Sequence, residues 1–429
     1  MELMPILVML GLFALNVPIA LAIAMAALSF FLTAGGLPIS SFVQKMAAST
    51  ESFPLLAVPF FIFAGTIMNH AGITRRLLGF ADALVGHTVG GLAQANVVLS
   101  ALMGGLSASA NADAAMQAKM LGSEMVRRGY SSGFTAAVCT CSSVITPIIP
   151  PGIGLILYGF LSDVSVGRLF IAGIVPGMLI TLSLMVVVRL RARSRDYKPT
   201  RERAATPREL GEAFVEALGA LSIIAFILIG IRQGIFTPTE AGAMTVVYAT
   251  LIGFFWHREL KLSAFPQIIR ETVLATAVVM LIICAAGAFG FYMTWEQIPS
   301  RGADLLLGVT QNPLALLLLI NVLLLAIGML IEGTAALILL TPILVPAITQ
   351  VGIDPLHFGI VMVVNLTVGG ITPPVGTLMF TSCSILGVSV GEYMREAWPF
   401  FTMLFLVLLL LVLAPVLVTF LPDLLMGAV

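Results

Sequence analysis

The run Ser142-Ser143-Val144-Ile145-Thr146-Pro147-Ile148-Ile149-Pro150-Pro151-Gly152-Ile153-Gly154 limits the possible folds of this chain more than any other stretch. Its three prolines and two glycines interrupt two strongly apolar flanks. Proline lacks the N–H of a helical residue and collides with the preceding turn, so a helix entering this run must open. At membrane depth the opening frees carbonyls and amides that lipid cannot satisfy. Such a break survives only when it is buried in protein or faces a wet cavity. A second break follows at Val368-Gly369-Gly370-Ile371-Thr372-Pro373-Pro374-Val375-Gly376. Two broken helices in corresponding halves of one chain point to a transporter's binding site.

The membrane setting follows from composition. Of 429 residues 59% are hydrophobic and only 10% charged, with a mean hydropathy of +1.09. Soluble domains carry about 25% charged residues, so this reads as a polytopic membrane protein. Net charge is zero and no basic face suits nucleic acid. Cys139, Cys141, Cys284 and Cys383 sit in apolar segments and read as packing residues. No basic n-region or small-residue cleavage site opens the chain, so the apolar run to about Leu32 is expected as a retained span.

In order, the sequence predicts spans at 3–33 and 54–68, then an amphipathic interfacial helix at 73–84. A re-entrant hairpin follows at about 87–128, its tip made of small and polar residues. The first broken helix covers about 134–161 and a further span 169–188. Arg189, Arg191, Arg193, Arg195, Lys198, Arg201, Arg203 and Arg208 then mark a cytoplasmic loop. Counting outward from it places Arg75-Arg76, Arg127-Arg128, Arg258 and Lys261 on the same side. The second half repeats the pattern, with a span at 273–292, an amphipathic link at 295–307 and a hairpin at about 312–350. A broken helix at about 358–386 and a last span at 400–420 complete it.

Laying residue n over n+224 pairs Pro150 with Pro374, Gly152 with Gly376 and Gly104 with Gly328. It also pairs Val164-Ser165-Val166-Gly167 with the identical Val388-Ser389-Val390-Gly391. Residues 1–210 therefore form a first repeat, 211–236 a linker span and 237–429 a second repeat. An odd number of crossings inverts the second repeat, with a cytoplasmic N-terminus and an external C-terminus. The expected fold class is an all-α polytopic membrane protein of inverted repeats, each with a re-entrant helical hairpin and a broken helix.

At these residues the sequence resembles the large membrane subunit of tripartite ATP-independent periplasmic (TRAP) transporters, the DctM-like family. The resemblance covers essentially the whole chain. Its most specific pieces are Gly105-Leu106-Ser107-Ala108-Ser109-Ala110-Asn111-Ala112-Asp113-Ala114, Thr341-Pro342-Ile343-Leu344-Val345-Pro346, and the run from Gly352 through Gly376. Ala110 departs from the serine often found there. The resemblance implies a sodium-driven elevator carrier of the ion-transporter superfamily in the bacterial inner membrane, importing organic acid anions. It implies two partners, a small four-helix membrane subunit and a periplasmic substrate-binding protein. Because the chain opens on the large subunit's first span, the small subunit is expected as a separate chain. The hairpins and broken helices would slide together past a frame of the remaining spans.

Sodium is a hard cation suited by several oxygens, which helix-break carbonyls and Ser or Thr hydroxyls supply. The first expected sodium site combines Ser107, Ser109 and Asn111 with Ser143 and Thr146. The second combines Gly328 and Gly333 with Gly369, Thr372 and Val375, mainly through carbonyls. Pro150 and Pro374 shape the two breaks. A lone serine here reads as a cap or a back-bonded side chain; two symmetric clusters together favour ion binding. Asp113 and Glu332 lie nearest the tips, where charge is costly and usually functional. Asp113 is placed as the cap of the second hairpin arm, a role compatible with electrostatic support for the ion. His70, His87, His257 and His357 are scattered and none is assigned to a metal; no P-loop, zinc motif or protease pairing offers catalysis. Two other readings stand beside the importer. One is a stand-alone divalent-anion/sodium symporter of related fold, and the other a non-transporting membrane scaffold or sensor.

Overall fold

The computed structural model describes residues 3–34, 37–107 and 109–427, with the side chains of 105–107 outside that description. Among the described residues the chain is all helical. Six helices are long and apolar enough to cross a membrane, including Val166–Ser194, Pro207–Arg232 and Val390–Leu413. Helix starts follow local chemistry: Thr206, Thr237 and Ser389 each close a capping box with the glutamate three residues on.

The expected first span is instead two helices, Met4–Ala14 and Ile19–Thr33, packed on each other. Pro18 interrupts the run and Asn16 turns the chain at φ 60°. At about 1.5 Å per residue, neither piece alone reaches the roughly 30 Å of a hydrocarbon core. The last span, expected at 400–420, is likewise two helices, Val390–Leu413 and Val416–Met426, and the link after the first span holds a helix, Ser40–Ala48. The first hairpin has one arm at Gly91–Ser107 and a second at Ala110–Gln117, a π-turn Ala118–Gly122 and Ser123–Arg127. The first broken helix is Ser132–Ser142 and Ile153–Ser162. Their second-half counterparts are the hairpin Pro313–Gly328 with Gly333–Gln350 and the broken helix Pro355–Gly370 with Thr377–Leu386.

Packing sorts these helices into two groups. Ile19–Thr33, Ser40–Ala48, Ala57–His70, Pro238–Leu251 and Phe265–Trp295 pack among themselves. Hairpins and broken helices form the second group, and Val166–Ser194 and Val390–Leu413 pack with them. Those two spans therefore pack with the breaks, whereas the sequence reading grouped them with the remaining spans. Two amphipathic helices, Ile73–Val85 and Ile298–Val309, touch both groups. Ile298–Val309 turns by 118° into the second hairpin.

Contacts also define two opposite ends. Arg75 and Arg76 both bond Glu259 Oε1, at 2.7 and 2.8 Å. Thr200 N donates to Gly86 O, and Arg195 pairs with Glu396 at 2.6 Å. The basic segments expected on one side thus meet in space. At the other end Arg168 pairs with Asp423 and donates to Gly427 O, and Thr239 Oγ1 donates to Phe53 O. Val166–Ser194 carries Arg168 at one end and leads to Arg195 at the other. Its 29 residues make it about 43 Å long.

The repeat register shifts by one residue along the broken helix. Caps Ser109 and Glu332, and Ser131 and Asp354, are 223 apart. Caps Gly152 and Gly376, and Ser165 and Ser389, are 224 apart. The stretch from Asp354 to Gly376 is thus one residue longer than that from Ser131 to Gly152, although its gap between helices is shorter, 371–376 against 143–152. Both Pro-Pro bonds, 150–151 and 373–374, are cis.

Candidate ion and anion site at the hairpin tips

Asp113 anchors the first tip. The cap of its helix is Ser109, whose Oγ accepts from Ala112 N. The capping role expected of Asp113 is therefore replaced by a buried network. Its side chain is 0% exposed. Oδ2 accepts from Ser100 Oγ at 3.0 Å, Gln117 Nε2 at 2.6 Å and Thr146 Oγ1 at 2.6 Å. Oδ1 has no hydrogen-bond partner among the described residues. No basic side chain pairs with this carboxylate among them either. Gln117 also donates to Ser100 Oγ, Ser142 Oγ donates to Gln117 Oε1 at 2.8 Å, and Asn96 Nδ2 donates to Ser142 Oγ at 3.2 Å. Asn96 Oδ1 is a second buried acceptor without a partner.

The structure thus joins Thr146 to Asp113 but spreads the other members of the first expected cluster. Asn111 Oδ1 accepts from Thr381 Oγ1 at 3.2 Å, tying the tip to the second broken helix. Ser143 is buried and donates to Thr140 O at 2.8 Å. A hydroxyl that spends its proton on a carbonyl keeps its lone pairs free to accept or to hold a cation. The side chain of Ser107 lies outside the described residues. Pro150 and its neighbours are fully enclosed.

At the second tip the contact is backbone on backbone. A Cβ on Gly369 would lie 2.7 Å from Gly328 C and Cα, so only glycine admits this approach. Met329 O accepts from Val375 N at 3.2 Å and Gly376 N at 3.1 Å, which satisfies two amides of the opened helix. Thr372 is buried and donates to Val368 O at 2.7 Å. Gly333 lies in ordinary contact range of Leu366. Glu332 caps its helix by accepting from Ala335 N at 3.0 Å and also accepts from Thr334 Oγ1. Pro374 and Val375 are exposed, so this break opens to the surface where the first is sealed. Asn365 Nδ2 donates to Asn321 O and Oδ1, locking the broken helix to the hairpin arm.

The family described as "Tripartite ATP-independent periplasmic transporter, DctM component" matches residues 6–417. The chain belongs to this family. It is 39% identical over 420 residues to the sialic acid TRAP transporter large permease protein SiaM of Vibrio cholerae, covering 97% of each chain. It is 38% identical to the C4-dicarboxylate TRAP transporter large permease protein DctM of Pseudomonas aeruginosa, covering 90% of each. An isethionate TRAP transporter permease protein of Oleidesulfovibrio alaskensis is 39% identical over 96% of this chain and 65% of its own length. Two solved transporters share the fold. The Alcanivorax borkumensis YdaH transporter has a TM-score of 0.66 at 15% identity, covering 96% of this chain and 98% of its own. Neisseria gonorrhoeae MtrF has 0.60 at 14%, covering 90% and 85%. This DctM-family chain is accordingly a multi-pass transporter permease and not an enzyme.

Sequence reasoning missed Asn96, Ser100, Gln117 and Ser142. A signal was present. Asn96 and Ser100, Asp113 and Gln117, and Ser142 and Thr146 are each four residues apart. That spacing stacks two side chains on one face of a continuous helix; the first two pairs lie in the hairpin arms, and the third runs from the end of Ser132–Ser142 into the break.

Proposed function

We propose that this chain is the large subunit of a sodium-coupled TRAP importer of organic acid anions, working by an elevator motion. Its partners would be a separate small four-helix membrane subunit and a periplasmic binding protein that delivers the anion. The observation that carries the reading is Asp113. An ionised carboxylate buried without a counter-charge costs several kcal/mol, and three neutral donors offset only part of that. A sodium ion held by Asp113, Thr146 and neighbouring oxygens would supply the missing charge. Thr372, Val375, Gly328, Gly333 and Gly369 would serve a second ion at the more open tip, with Ser107, Ser109, Asn111 and Ser143 completing the first. The anion would sit between the tips, near Glu332 and the paired prolines. Relatives named for sialic acid, C4-dicarboxylates and isethionate favour an anionic substrate. The moving body would be hairpins and broken helices together with Val166–Ser194 and Val390–Leu413.

The test is uptake into liposomes holding this chain, the small subunit and an external binding protein. Import should require all three components and an inward sodium gradient. Robust import by this chain alone would replace the tripartite reading with the stand-alone symporter. Import unaffected by sodium would overturn the coupling.

A further inference from the structure

Away from the tips, a pocket of about 450 Å³ is lined by Arg75, Arg76, Glu216, Trp256 and His257. It lies at the basic end of the molecule, where Ile73–Val85 packs on Pro207–Arg232. Arg76 is fully engaged: Nη1 donates to Ala71 O and Gly72 O, and Nη2 to Glu259. Arg75 spends one N–H on Glu259 and its side chain is 72% exposed, which leaves the rest of its fork facing outward. Glu259 is seated by Gly72, where a Cβ would fall 1.8 Å from its Oε2. Burial alone would raise Glu259, but Arg76 and Arg75 hold it below the usual carboxylate range. The trio therefore keeps one net positive charge at neutral pH.

The rest of the lining has different chemistry. Glu216 supplies a carboxylate. His257 is 8% exposed, its ring nitrogens are enclosed, and the Ala71 backbone lies beside the ring. Burial and the nearby Arg76 hold the imidazole below its ordinary value, so it adds no positive charge to the pocket at neutral pH. Trp256 is 56% exposed and Phe255 74%, as for side chains at a membrane–water interface.

We propose that this pocket holds the head group of an aminophospholipid. Its phosphate would take the Arg75 fork, and its primary ammonium would donate to Glu216 against the face of Trp256. Basic pockets on the cytoplasmic side commonly take lipid head groups; the Glu216 carboxylate is what selects a zwitterion with N–H donors. Phosphatidylcholine has no such donor, and phosphatidylglycerol has no cation.

The experiment titrates delipidated full-length chain in detergent with short-chain phosphatidylethanolamine, phosphatidylcholine and phosphatidylglycerol, reading thermal stability and native mass spectra. Phosphatidylethanolamine should act at concentrations at least fivefold lower than the other two. Arg75→Gln should weaken all three, while Glu216→Gln should bring phosphatidylethanolamine down to the phosphatidylcholine level. Equal or better action by phosphatidylglycerol, or an unchanged preference in Glu216→Gln, would overturn the proposal. Water-soluble glycerophosphoethanolamine acting as well as the lipid would mean a site for a free head group and would overturn the lipid assignment.

Discussion

Asp113 is the only carboxylate fully buried among the described residues, and its neighbours Ser100, Gln117 and Thr146 are equally enclosed. Replacing it by asparagine keeps the shape and removes the uncompensated charge. Asp113→Asn should therefore fold and assemble at least as well as the parent without sodium, yet need at least tenfold more sodium for half-maximal stabilisation. A thermal melt against sodium concentration, with lithium and potassium as controls, reads both effects. An unchanged sodium dependence would remove Asp113 from the ion site. Gly369 makes a different kind of residue-level claim. A methyl group there collides with Gly328 and Met329 backbone atoms that no side-chain rotation can move. Gly369→Ala should cost about 1–3 kcal/mol of stability, the usual range for overpacking. It should also reduce uptake, because the second tip could no longer close. Full activity with unchanged stability would mean that the two backbones separate freely.

At the scale of elements, each hairpin is tied to its broken helix by a polar bond deep in the bundle. In the first half Asn96 meets Ser142; in the second Asn365 meets Asn321. Ser142 and Asn365 are 223 residues apart, the same interval that relates the tip caps. Asn365→Ala strands the Asn321 side-chain oxygen in an apolar setting and should cost about 1–3 kcal/mol, the penalty for an unsatisfied buried polar group. Asn365→Leu with Asn321→Leu removes both partners and should recover much of that loss. A double-mutant cycle on thermal stability measures the coupling; additive effects would show that the contact contributes nothing. The second arms also agree in being irregular. A π-turn lies at Ala118–Gly122, and Pro342 and Pro346 sit inside Gly333–Gln350. Both devices relax the regular hydrogen-bond ladder.

For the molecule as a whole, contacts separate the basic end from the end carrying Arg168, Asp423 and Gly427. Cysteines introduced at Ser194 and Gly427 in a background lacking Cys139, Cys141, Cys284 and Cys383 should label from opposite faces of sealed vesicles. Labelling from one face would undo the inverted count. The four native cysteines are free and three are buried, so their removal is a packing change.

Much of this architecture was already legible in the chain, for a physical reason. Lipid cannot hydrogen-bond a backbone, so every span, break and re-entrant tip must be declared locally by hydropathy, proline, glycine and capping residues. The basic segments declared the two faces in the same way, and Arg75, Arg76 and Glu259 meet where the count placed them together. Tertiary structure decided what depends on distance. It split the first 33 residues at Pro18, and it moved Val166–Ser194 and Val390–Leu413 into the group with the breaks. It also took Asp113 from a capping position into a network with Ser100, Gln117 and Thr146. Those residues come from both hairpin arms and the first break, and only their packing decides which polar side chains share one buried space.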